Sequence, residues 1–204
     1  MKLSRNKTIL TDVDGVLLDW SYAFDLWMNE RGYYMSGPRD SYEREVAYEM
    51  PVEEMRKLIA HFNSSAAIGF LPPLRDAMYY VRKLMIEHGY RFRVITSLSK
   101  CKHAQYLRTK NLKMLFGKRT FESFEYLPTA ADKDEVLEQY RGSDAFWLED
   151  KLKNAEAGEA VGLRPIVVAG DFNITDKYPR FWKWKDIYEL SLIHISEPTR
   201  LSRI

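Results

Sequence analysis

The sequence predicts an α/β fold in which a mostly parallel sheet is flanked by helices. Short apolar runs alternate along the chain with longer stretches of helical periodicity, and this alternation is typical of strand–helix–strand units. Gly89, Gly142 and Gly162 follow three of the helical stretches, at positions where a glycine commonly ends a helix. With 204 residues, of which 46% are hydrophobic, the chain is long enough for one domain with a sizeable core and an insertion.

The predicted elements follow one another in a regular order. Strands are expected at residues 8–13, 91–96, 124–127, 144–148 and 165–169. Helices are expected at residues 74–88, 100–115, 133–140 and 152–161, and another begins near Trp184. Each predicted strand is therefore followed by a helix, as the crossover connections of a parallel sheet require.

An insertion interrupts this order directly after the first strand. About fifty residues separate that strand from the helix near Leu74, whereas a plain strand-to-helix connection needs only a few. Two helices are expected inside the insertion, at residues 21–31 and 52–62, and Pro72-Pro73 marks the return to the sheet. We therefore predict an α/β core formed by residues 1–19 and 72–190, with residues 20–71 as a small helical cap over the crevice.

The composition excludes several classes of protein. The net charge of +2 indicates no strongly charged partner, and the single cysteine, Cys101, excludes a disulfide framework and a cysteine-rich zinc site. We expect Cys101 to serve in packing, because the sequence shows no base that would activate it. No apolar stretch reaches membrane-spanning length, and the basic first residues lead into a strand rather than a signal peptide. A cytoplasmic protein without a membrane partner is therefore expected.

The string Asp12-Val13-Asp14-Gly15 is the first candidate for chemistry. Two carboxylates two residues apart on a strand point to the same side, and the end of a strand in an open α/β sheet faces the ligand crevice. Like charges this close favour a hard cation between them, such as Mg²⁺. A calcium loop of the EF-hand type is excluded, because its twelfth position requires Glu and is Ala23 here. By itself, the string is equally compatible with a catalytic site and with a plain turn.

Hydroxyl groups and a lysine are expected at the ends of two further strands. Thr96 and Ser97 end the second strand and open a helix, where hydroxyls and free N–H groups bind anions. Simple N-capping is the alternative interpretation. Lys133 begins a later helix, where it could also contribute to an anion site; the alternative interpretation is a solvated lysine on the surface.

A pair of acids ends the predicted strand at 144–148. Glu149 and Asp150 follow an apolar run, and Asn154 lies on the same helix face as Asp150. Paired acids at the carboxyl end of a buried strand are hard to explain as solvated surface.

These motifs, in this order, resemble those of the haloacid dehalogenase superfamily of phosphohydrolases. The matching residues are Asp12-Val13-Asp14-Gly15-Val16, Thr96, Lys133, and Glu149-Asp150 with Asn154. The resemblance covers residues 8–190 and implies a Rossmann-like core, with the cap placed between the first two motifs.

The resemblance also implies a mechanism. Asp12 would attack phosphorus to form an aspartyl-phosphate, and Asp14 would act as general acid and then as general base. Thr96, Ser97 and Lys133 would bind the phosphoryl oxygens.

A metal cofactor follows from the same resemblance. Mg²⁺ would be bound by Asp12, the backbone carbonyl of Asp14 and Asp150, with Glu149 and Asn154 in support. It would screen the charge between the nucleophile and the phosphate.

One branch of the superfamily, the 5'(3')-deoxyribonucleotidases, is similar over longer segments. These are Asp14-Gly15-Val16-Leu17-Leu18-Asp19-Trp20, Gly69-Phe70-Leu71-Pro72-Pro73-Leu74-Arg75-Asp76-Ala77, Val94-Ile95-Thr96-Ser97 and Phe181-Trp182-Lys183-Trp184-Lys185-Asp186-Ile187. Glu149 departs from the aspartate usual in that branch, and the residues around Lys133 differ. The similarity implies a nucleoside monophosphate as the small phosphorylated substrate. We expect aromatic residues of the cap, in particular Phe24 and Phe70 near its two hinges, to face the crevice and stack on a base.

Three other functions stay open. A basic strip without acids could bind a polynucleotide end, although a solvated helix face is the simpler interpretation. Its members are Lys100, Lys102, Arg108, Lys110, Lys113, Lys118 and Arg119. A small-metabolite phosphatase would need no base-stacking cap. A non-catalytic phosphate-binding module is disfavoured by the intact motifs, and the lack of a P-loop string excludes an attached kinase of that type.

The last residues are expected to be non-native. Residues 190–200 match the translation of a transposase sequencing adapter, and the following residues fit the index that comes after such an adapter. We therefore predict that residues 191–204 contribute to neither fold nor function, and that the natural C-terminus is missing.

Overall fold

The computed structural model describes residues 7–38, 41, 43–129 and 131–196, with side chains described up to residue 193. The described residues form a six-stranded sheet in which all neighbouring strands are parallel. The strands are β1 (Thr8–Thr11), β2 (Arg91–Ser97), β3 (Phe121–Leu127), β4 (Phe146–Glu149), β5 (Arg164–Val168) and β6 (Arg180–Phe181). Their order across the sheet is β3-β2-β1-β4-β5-β6. The predicted α/β fold with a parallel sheet is confirmed.

Helices connect the strands and form the insertion. They are α1 (Trp20–Asn29), α2 (Arg44–Ala47), α3 (Val52–Ser64), α4 (Ala77–His88), α5 (Lys102–Phe116), α6 (Asp134–Leu137), α7 (Leu152–Ala160) and α8 (Trp184–Ser196). Two short 3-10 turns, Ala66–Gly69 and Glu138–Tyr140, follow α3 and α6. Among the described residues, no helix is both long and apolar enough to cross a bilayer.

The sheet is covered on both faces. Ile9 and Leu10 are neighbours on β1, both are fully buried, and they belong to different apolar clusters. Ile9 lies in the cluster that includes residues of α4 and α8, whereas Leu10 packs with Leu137 of α6 and Trp147 of β4. Successive side chains of a strand point to opposite faces, so a doubly covered strand has a continuous apolar sequence. All four residues of β4 are accordingly buried.

The strand order determines where a ligand crevice opens. The chain runs from β1 outward to β2 and β3, and then returns to the other side of β1 for β4. In open α/β sheets, ligands bind outside the carboxyl ends of the strands at such a reversal. Asp12, directly after β1, and Asp150, directly after β4, are therefore placed on adjacent strand ends.

Two elements were not predicted, and one helix begins later than expected. β6 and α2 are too short, at 2 and 4 residues, to show a periodic pattern. The helix predicted at 74–88 begins at Ala77. The Leu74 N–H donates to the Leu17 carbonyl at 2.8 Å, and Arg75 has a left-handed φ of 45°, so neither residue can belong to the helix.

We call the segment 20–71 the cap; its described residues include three α-helices and a 3-10 turn, and they enclose an aromatic centre. Phe24 stacks on Trp20 with ring centroids 4.8 Å apart, and Phe62 meets Phe24 edge-on at 5.4 Å. The 3-10 turn Ala66–Gly69 packs against α5 and so joins the cap to the core. Helices are what the sequence predicted for this insertion.

Part of the proposed non-native tail continues α8. Ser191 is fully buried, and its carbonyl accepts a hydrogen bond from the Tyr90 hydroxyl at 3.1 Å. Residues 197–204 lie outside the described residues. The expectation that residues 191–204 contribute nothing to the fold is therefore wrong at Ser191, whereas the non-native origin of the tail stays a prediction.

Candidate active site

A crevice of about 780 Å³ opens at the carboxyl ends of β1, β2 and β4. The loops after these strands form its floor, and the cap forms one of its walls. The floor residues include Asp12, Asp14, Thr96, Ser97, Lys133, Asp150 and Asn154. Apart from Glu149, Phe24 and Phe70, every predicted site residue therefore lies on this one surface.

Asp12 is held rigidly at the end of β1. Its backbone N–H donates to the Leu148 carbonyl at 2.9 Å, which extends the ladder between β1 and β4 by one residue. The Val13 N–H donates to Oδ1 of Asp12 at 2.7 Å, while Oδ2 lies 3.0 Å from Nζ of Lys133. The side chain is thus oriented by the backbone and faces the ammonium group of Lys133.

Gly15 lets the loop after β1 approach the loop after β4. Its φ is +73°, a left-handed conformation that favours glycine. A Cβ at this position would lie 2.4 Å from Oδ2 of Asp150, so the two loops touch where a side chain would not fit.

Asp14 forms an ion pair with Arg108 of α5. Burial raises the pKa of Asp14, Arg108 opposes that effect, and Asp12 adds to it, so the pKa lies above its ordinary value. A raised pKa favours the protonated carboxyl that a general acid needs.

Sequence reasoning missed Arg108. It was counted in the basic strip and assigned to a solvated helix face, but the side chain is fully buried. Ala104, Asn111 and Leu112 are buried with it, at helical spacing, so the periodicity of α5 could have placed Arg108 on the inner face. A charge on such a face needs a partner, which is Asp14 here.

Lys133 is buried rather than solvated, with 2% of its side chain exposed. Its Nζ contacts both Asp12 and Glu149. Burial lowers the pKa of Lys133, but the carboxylates of Asp12 and Glu149 raise it by more than burial lowers it, so the pKa lies above its ordinary value. The lysine therefore stays charged next to Asp12.

Glu149 is saturated with hydrogen bonds. Oε1 accepts from Lys133 and from Nδ2 of Asn154 at 2.8 Å. Oε2 accepts the backbone N–H groups of Asp150 and Lys151, each at 3.0 Å. With four donors bound, this carboxylate orients Lys133 and the loop after β4.

Asp150 is the group in this loop that most clearly lacks a partner. Its Oδ1 is buried without a hydrogen-bond partner among the described residues. Burial, Glu149 and Asp12 together raise its pKa well above the ordinary value. Carboxylate oxygens of Asp12, Glu149 and Asp150 lie within 4.8 Å of one another. Clustered carboxylates of this kind are typical ligands of Mg²⁺, so the residues present fit the predicted cofactor.

Asn173 supports Asp150 and was not predicted. It is buried after β5, and its Nδ2 donates to the Asp150 carbonyl at 2.7 Å and to the Val168 carbonyl at 2.8 Å. The amide thereby ties the ends of β4 and β5 together. No local pattern in the sequence distinguishes it from a turn asparagine.

Thr96 and Ser97 lie at the end of β2, next to β1. The Thr96 side chain is buried, and its Oγ1 has no hydrogen-bond partner among the described residues. A buried hydroxyl without a partner is costly, and a phosphoryl oxygen in the crevice would satisfy it. Ser97 is half-buried at the crevice surface.

The aromatic residues at the crevice differ from those predicted. Phe24 is fully buried inside the cap, so the expectation that it faces the crevice is wrong. Phe70 is 75% exposed but does not line the crevice. Trp20, Phe172 and Trp182 line it instead. The position of a residue near a hinge of the cap does not determine whether its side chain points into the cap, into the crevice or into solvent.

Cys101 is also placed differently from the prediction. It is exposed at the residue before α5 rather than packed in the interior. It does not line the crevice.

The fold is similar to that of haloacid dehalogenase-like hydrolases of known structure. A hydrolase of that type from Streptococcus pneumoniae matches with a TM-score of 0.62 and 16% identity, over 90% of this chain and 97% of that one. CbbY from Rhodobacter sphaeroides, solved with phosphate, matches with a TM-score of 0.57 and 18% identity, over 89% of this chain and 96% of that one. D,D-heptose 1.7-bisphosphate phosphatase from B. bronchiseptica, solved with magnesium and phosphate, matches with a TM-score of 0.56 and 10% identity, over 91% of this chain and 98% of that one.

These similarities establish a haloacid dehalogenase-like fold, as the sequence motifs implied. No protein-family model matches the chain, and neither does any curated protein.

Proposed function

We propose that the protein is a Mg²⁺-dependent phosphomonoester hydrolase that forms an aspartyl-phosphate and acts on nucleoside monophosphates. One observation carries the proposal: Asp12 lies 3.0 Å from a buried lysine, Lys133, and within 4.8 Å of the carboxylate of Asp150, whose Oδ1 has no hydrogen-bond partner in the described part of the chain. A nucleophile, a cation and a free metal ligand therefore meet on adjacent strand ends.

In the first half-reaction, a carboxylate oxygen of Asp12 forms a bond to phosphorus while the bond from phosphorus to the leaving oxygen breaks. Asp14 gives its proton to that oxygen, and burial favours the protonated form. In the second half-reaction, Asp14 takes a proton from water as the water oxygen attacks phosphorus. Inorganic phosphate leaves, and the Asp12 carboxylate is restored.

The phosphoryl group is bound by donors that the floor already presents. The hydroxyl of Thr96, which has no partner within the described ranges, and the ammonium group of Lys133 stabilise the charge on its oxygens, and Ser97 adds a further contact. Mg²⁺, held by Asp12, Asp150 and the backbone carbonyl of Asp14, would screen the charge between the nucleophile and the phosphate.

Phosphate release in the presence of Mg²⁺ tests the chemistry. We expect Asp12→Asn to abolish turnover without unfolding the protein, and EDTA to abolish the activity of the wild type until Mg²⁺ is restored. Asp144→Asn is the matched control, because Asp144 is an exposed partner of Arg164 and precedes β4, at the end of that strand opposite to Asp150. Full activity of Asp12→Asn or of the metal-free protein would contradict the mechanism.

The nucleotide part of the proposal is supported by the sequence similarity and by the lining of the crevice. Trp20, Phe172 and Trp182 are among the residues that line a space of about 780 Å³, and aromatic side chains suit nucleobases. The test is a comparison of nucleoside monophosphates with ribose phosphate and glycerol phosphate. If nucleotides react no faster than the other two, the nucleotidase assignment is wrong.

A sugar phosphate is the second candidate. Arg44 and Arg56 line the cap side of the crevice, where cations suit the polar groups of a phosphorylated sugar. One protein with a similar fold is a heptose bisphosphate phosphatase. Faster turnover of sugar phosphates than of nucleotides in the same panel would favour this candidate.

A further inference from the structure

Helix α5 presents a basic outer side that the proposed chemistry does not use. No acidic residue lies between Glu87 and Glu122 in the sequence. At about 100° per residue, the side chains on the outer side of α5 occupy one arc of about 120°, and the buried Arg108 lies outside that arc. We call this arc, together with the cations directly before and after the helix, the basic face. Its members are Lys100, Lys102, His103, Tyr106, Lys110, Lys113, Met114, Lys118 and Arg119.

Carboxylates do not neutralise the charges of the basic face. Within the described ranges, no ion pair joins an acid to any of its lysines or to Arg119. Lys102 donates to the amide oxygen of Gln105 at 3.2 Å, and Lys113 lies 5.3 Å from the centre of the Phe124 ring. Both contacts leave the positive charge in place. The basic face therefore attracts a partner that carries several negative charges.

Aromatic rings lie between these lysines. Tyr106 is 60% exposed, and the exposed ring of His103 stacks on it with centroids 6.4 Å apart and planes 29° apart. Exposed rings between cations suit single-stranded nucleic acid, because unpaired bases stack on the rings while the phosphates contact the cations. An anionic membrane fits less well, since the apolar side of α5 is packed in the core and cannot enter a bilayer.

The basic face begins at the rim of the crevice. Ser97 lines the crevice at the end of β2, and α5 begins five residues later at Lys102. Because β2 and β3 are parallel, the helix between them runs back towards the amino ends of the strands. Its 15 residues extend over about 22 Å. A nucleic acid strand with its terminal phosphate at Asp12 can therefore continue along the basic face.

We propose that the basic face binds single-stranded nucleic acid and that the protein also removes the terminal phosphate of such a strand. This inference rests on the proposed phosphatase chemistry and extends its substrate from mononucleotides to strand ends. Asp12 forms a bond to the terminal phosphorus while the bond from phosphorus to the last sugar oxygen breaks, and Asp14 gives that oxygen its proton. Water then releases inorganic phosphate, and both carboxyl groups return to their first state.

Binding can be measured without hydrolysis, by fluorescence anisotropy of a labelled thymidine decamer that lacks a terminal phosphate. At about 3.4 Å or more per nucleotide, a decamer is long enough to follow α5. We expect the Kd to rise with salt concentration. In the double variant Lys102→Gln/Lys110→Gln, the slope of log Kd against log salt should fall by roughly 0.7 for each lysine replaced. Tyr106→Ala should weaken binding about tenfold, because a base loses its stacking partner.

Matched variants outside the basic face serve as controls. Lys177→Gln/Lys185→Gln removes the same number of charges from lysines that pair with glutamates, and Tyr79→Ala removes a tyrosine of α4 that is 61% exposed. Both controls should keep the wild-type Kd and salt slope. Equal effects of the control and basic-face variants would overturn the binding surface. Equal affinity for a duplex of the same length, or for phosphatidylserine vesicles, would overturn it as well, because the response would then be to negative charge alone.

Hydrolysis is measured with thymidine decamers that carry a 5' or a 3' phosphate, each compared with the matching mononucleotide. We expect kcat/KM of at least one decamer to exceed that of its mononucleotide by about tenfold, since the positive charge of the basic face raises the rate of association. This ratio should fall in Lys102→Gln/Lys110→Gln and persist in Lys177→Gln/Lys185→Gln.

The outcomes separate the two proposals. If mononucleotides are hydrolysed and no decamer reacts faster than its mononucleotide, strand-end hydrolysis is overturned and the proposed nucleotidase function stands. If no phosphate is released even from p-nitrophenyl phosphate, the catalytic proposal fails and strand-end hydrolysis fails with it. The anisotropy measurements decide the binding surface by themselves in either case.

Discussion

The contact between Asp14 and Arg108 places a buried cation beside the proposed general acid. Two opposing influences act on the pKa of Asp14: burial raises it, and Arg108 lowers it. Neither influence can be read from the string Asp12-Val13-Asp14-Gly15, because Arg108 is 94 positions away along the chain. The acid strength of Asp14 is therefore a property of the packed molecule.

Replacing Arg108 by Met should raise the pKa of Asp14 further. Asp14 must carry a proton to donate it, so kcat/KM falls as the pH rises through its pKa. The alkaline limb of the pH profile should therefore move to higher pH in Arg108→Met, measured with an alkyl phosphate. Lys110→Met, an exposed change on the same helix, should leave the limb in place. An unshifted limb in Arg108→Met would show that this ion pair does not tune the acid.

Gly15→Ala should disable the site through a steric clash. The new Cβ would lie 2.4 Å from Oδ2 of Asp150, and a displacement of about 1 Å at a catalytic centre can lower the rate on the order of 100-fold. Gly32→Ala is the matched control: its φ is +81°, also left-handed, but no atom of the described residues lies within 4 Å of a Cβ built there. Both variants carry backbone strain, so only the clash distinguishes them. The measurement is kcat/KM together with the shift in thermal stability on adding Mg²⁺, and equal losses in the two variants would refute the clash.

At the scale of elements, helix α7 packs on β4 through a glycine. A Cβ at Gly158 would lie 2.3 Å from Cδ1 of the fully buried Trp147. Nε1 of Trp147 also donates to the Asn154 carbonyl at 2.9 Å, which fixes the ring against the helix. Asn154 in turn binds Glu149, so this packing holds part of the floor of the crevice.

Gly158→Ala should destabilise the protein although alanine is the better helix former. Overpacking a core costs roughly 1–3 kcal/mol, while the gain in helix propensity is about 1 kcal/mol. We expect a lower midpoint of urea unfolding. The difference between Glu156→Ala and Glu156→Gly, at an exposed position inside the same helix, measures the propensity effect alone and should be about 1 kcal/mol. A gain in stability for Gly158→Ala would mean that the ring of Trp147 moves aside at little cost.

At the scale of the whole molecule, the C-terminal helix lies apart from the crevice. α8 packs against α4, and none of its residues up to 193, where the described side chains end, lines the crevice. Removing residues 191–204 should therefore leave kcat/KM unchanged. The truncation deletes the Ser191 carbonyl that accepts from Tyr90, and such a hydrogen bond contributes about 1 kcal/mol. Removing only residues 197–204 should keep the hydrogen bond between Tyr90 and Ser191, so this shorter truncation should not lower the stability through that bond. A loss of activity in either truncation would contradict the tail assignment.

The sequence by itself determined the order of strands and helices and the polar groups at the strand ends. Apolar runs and helical periodicity are local, so β1, β2, β4, β5 and the longer helices could be predicted to within a few residues. Asp12, Thr96, Lys133 and Asp150 could be assigned to one surface, because parallel strands bring their carboxyl ends to the same edge of the sheet.

Only the tertiary structure decided which face of each helix turns inward and which polar groups meet. Arg108 pairs with Asp14, and Asn63 is held by Trp20, through contacts between elements far apart in the chain. Phe24 is buried in the cap for the same reason. The rotation of a helix is set by what packs against it, and a sequence pattern records that an apolar or polar group is present but not its partner.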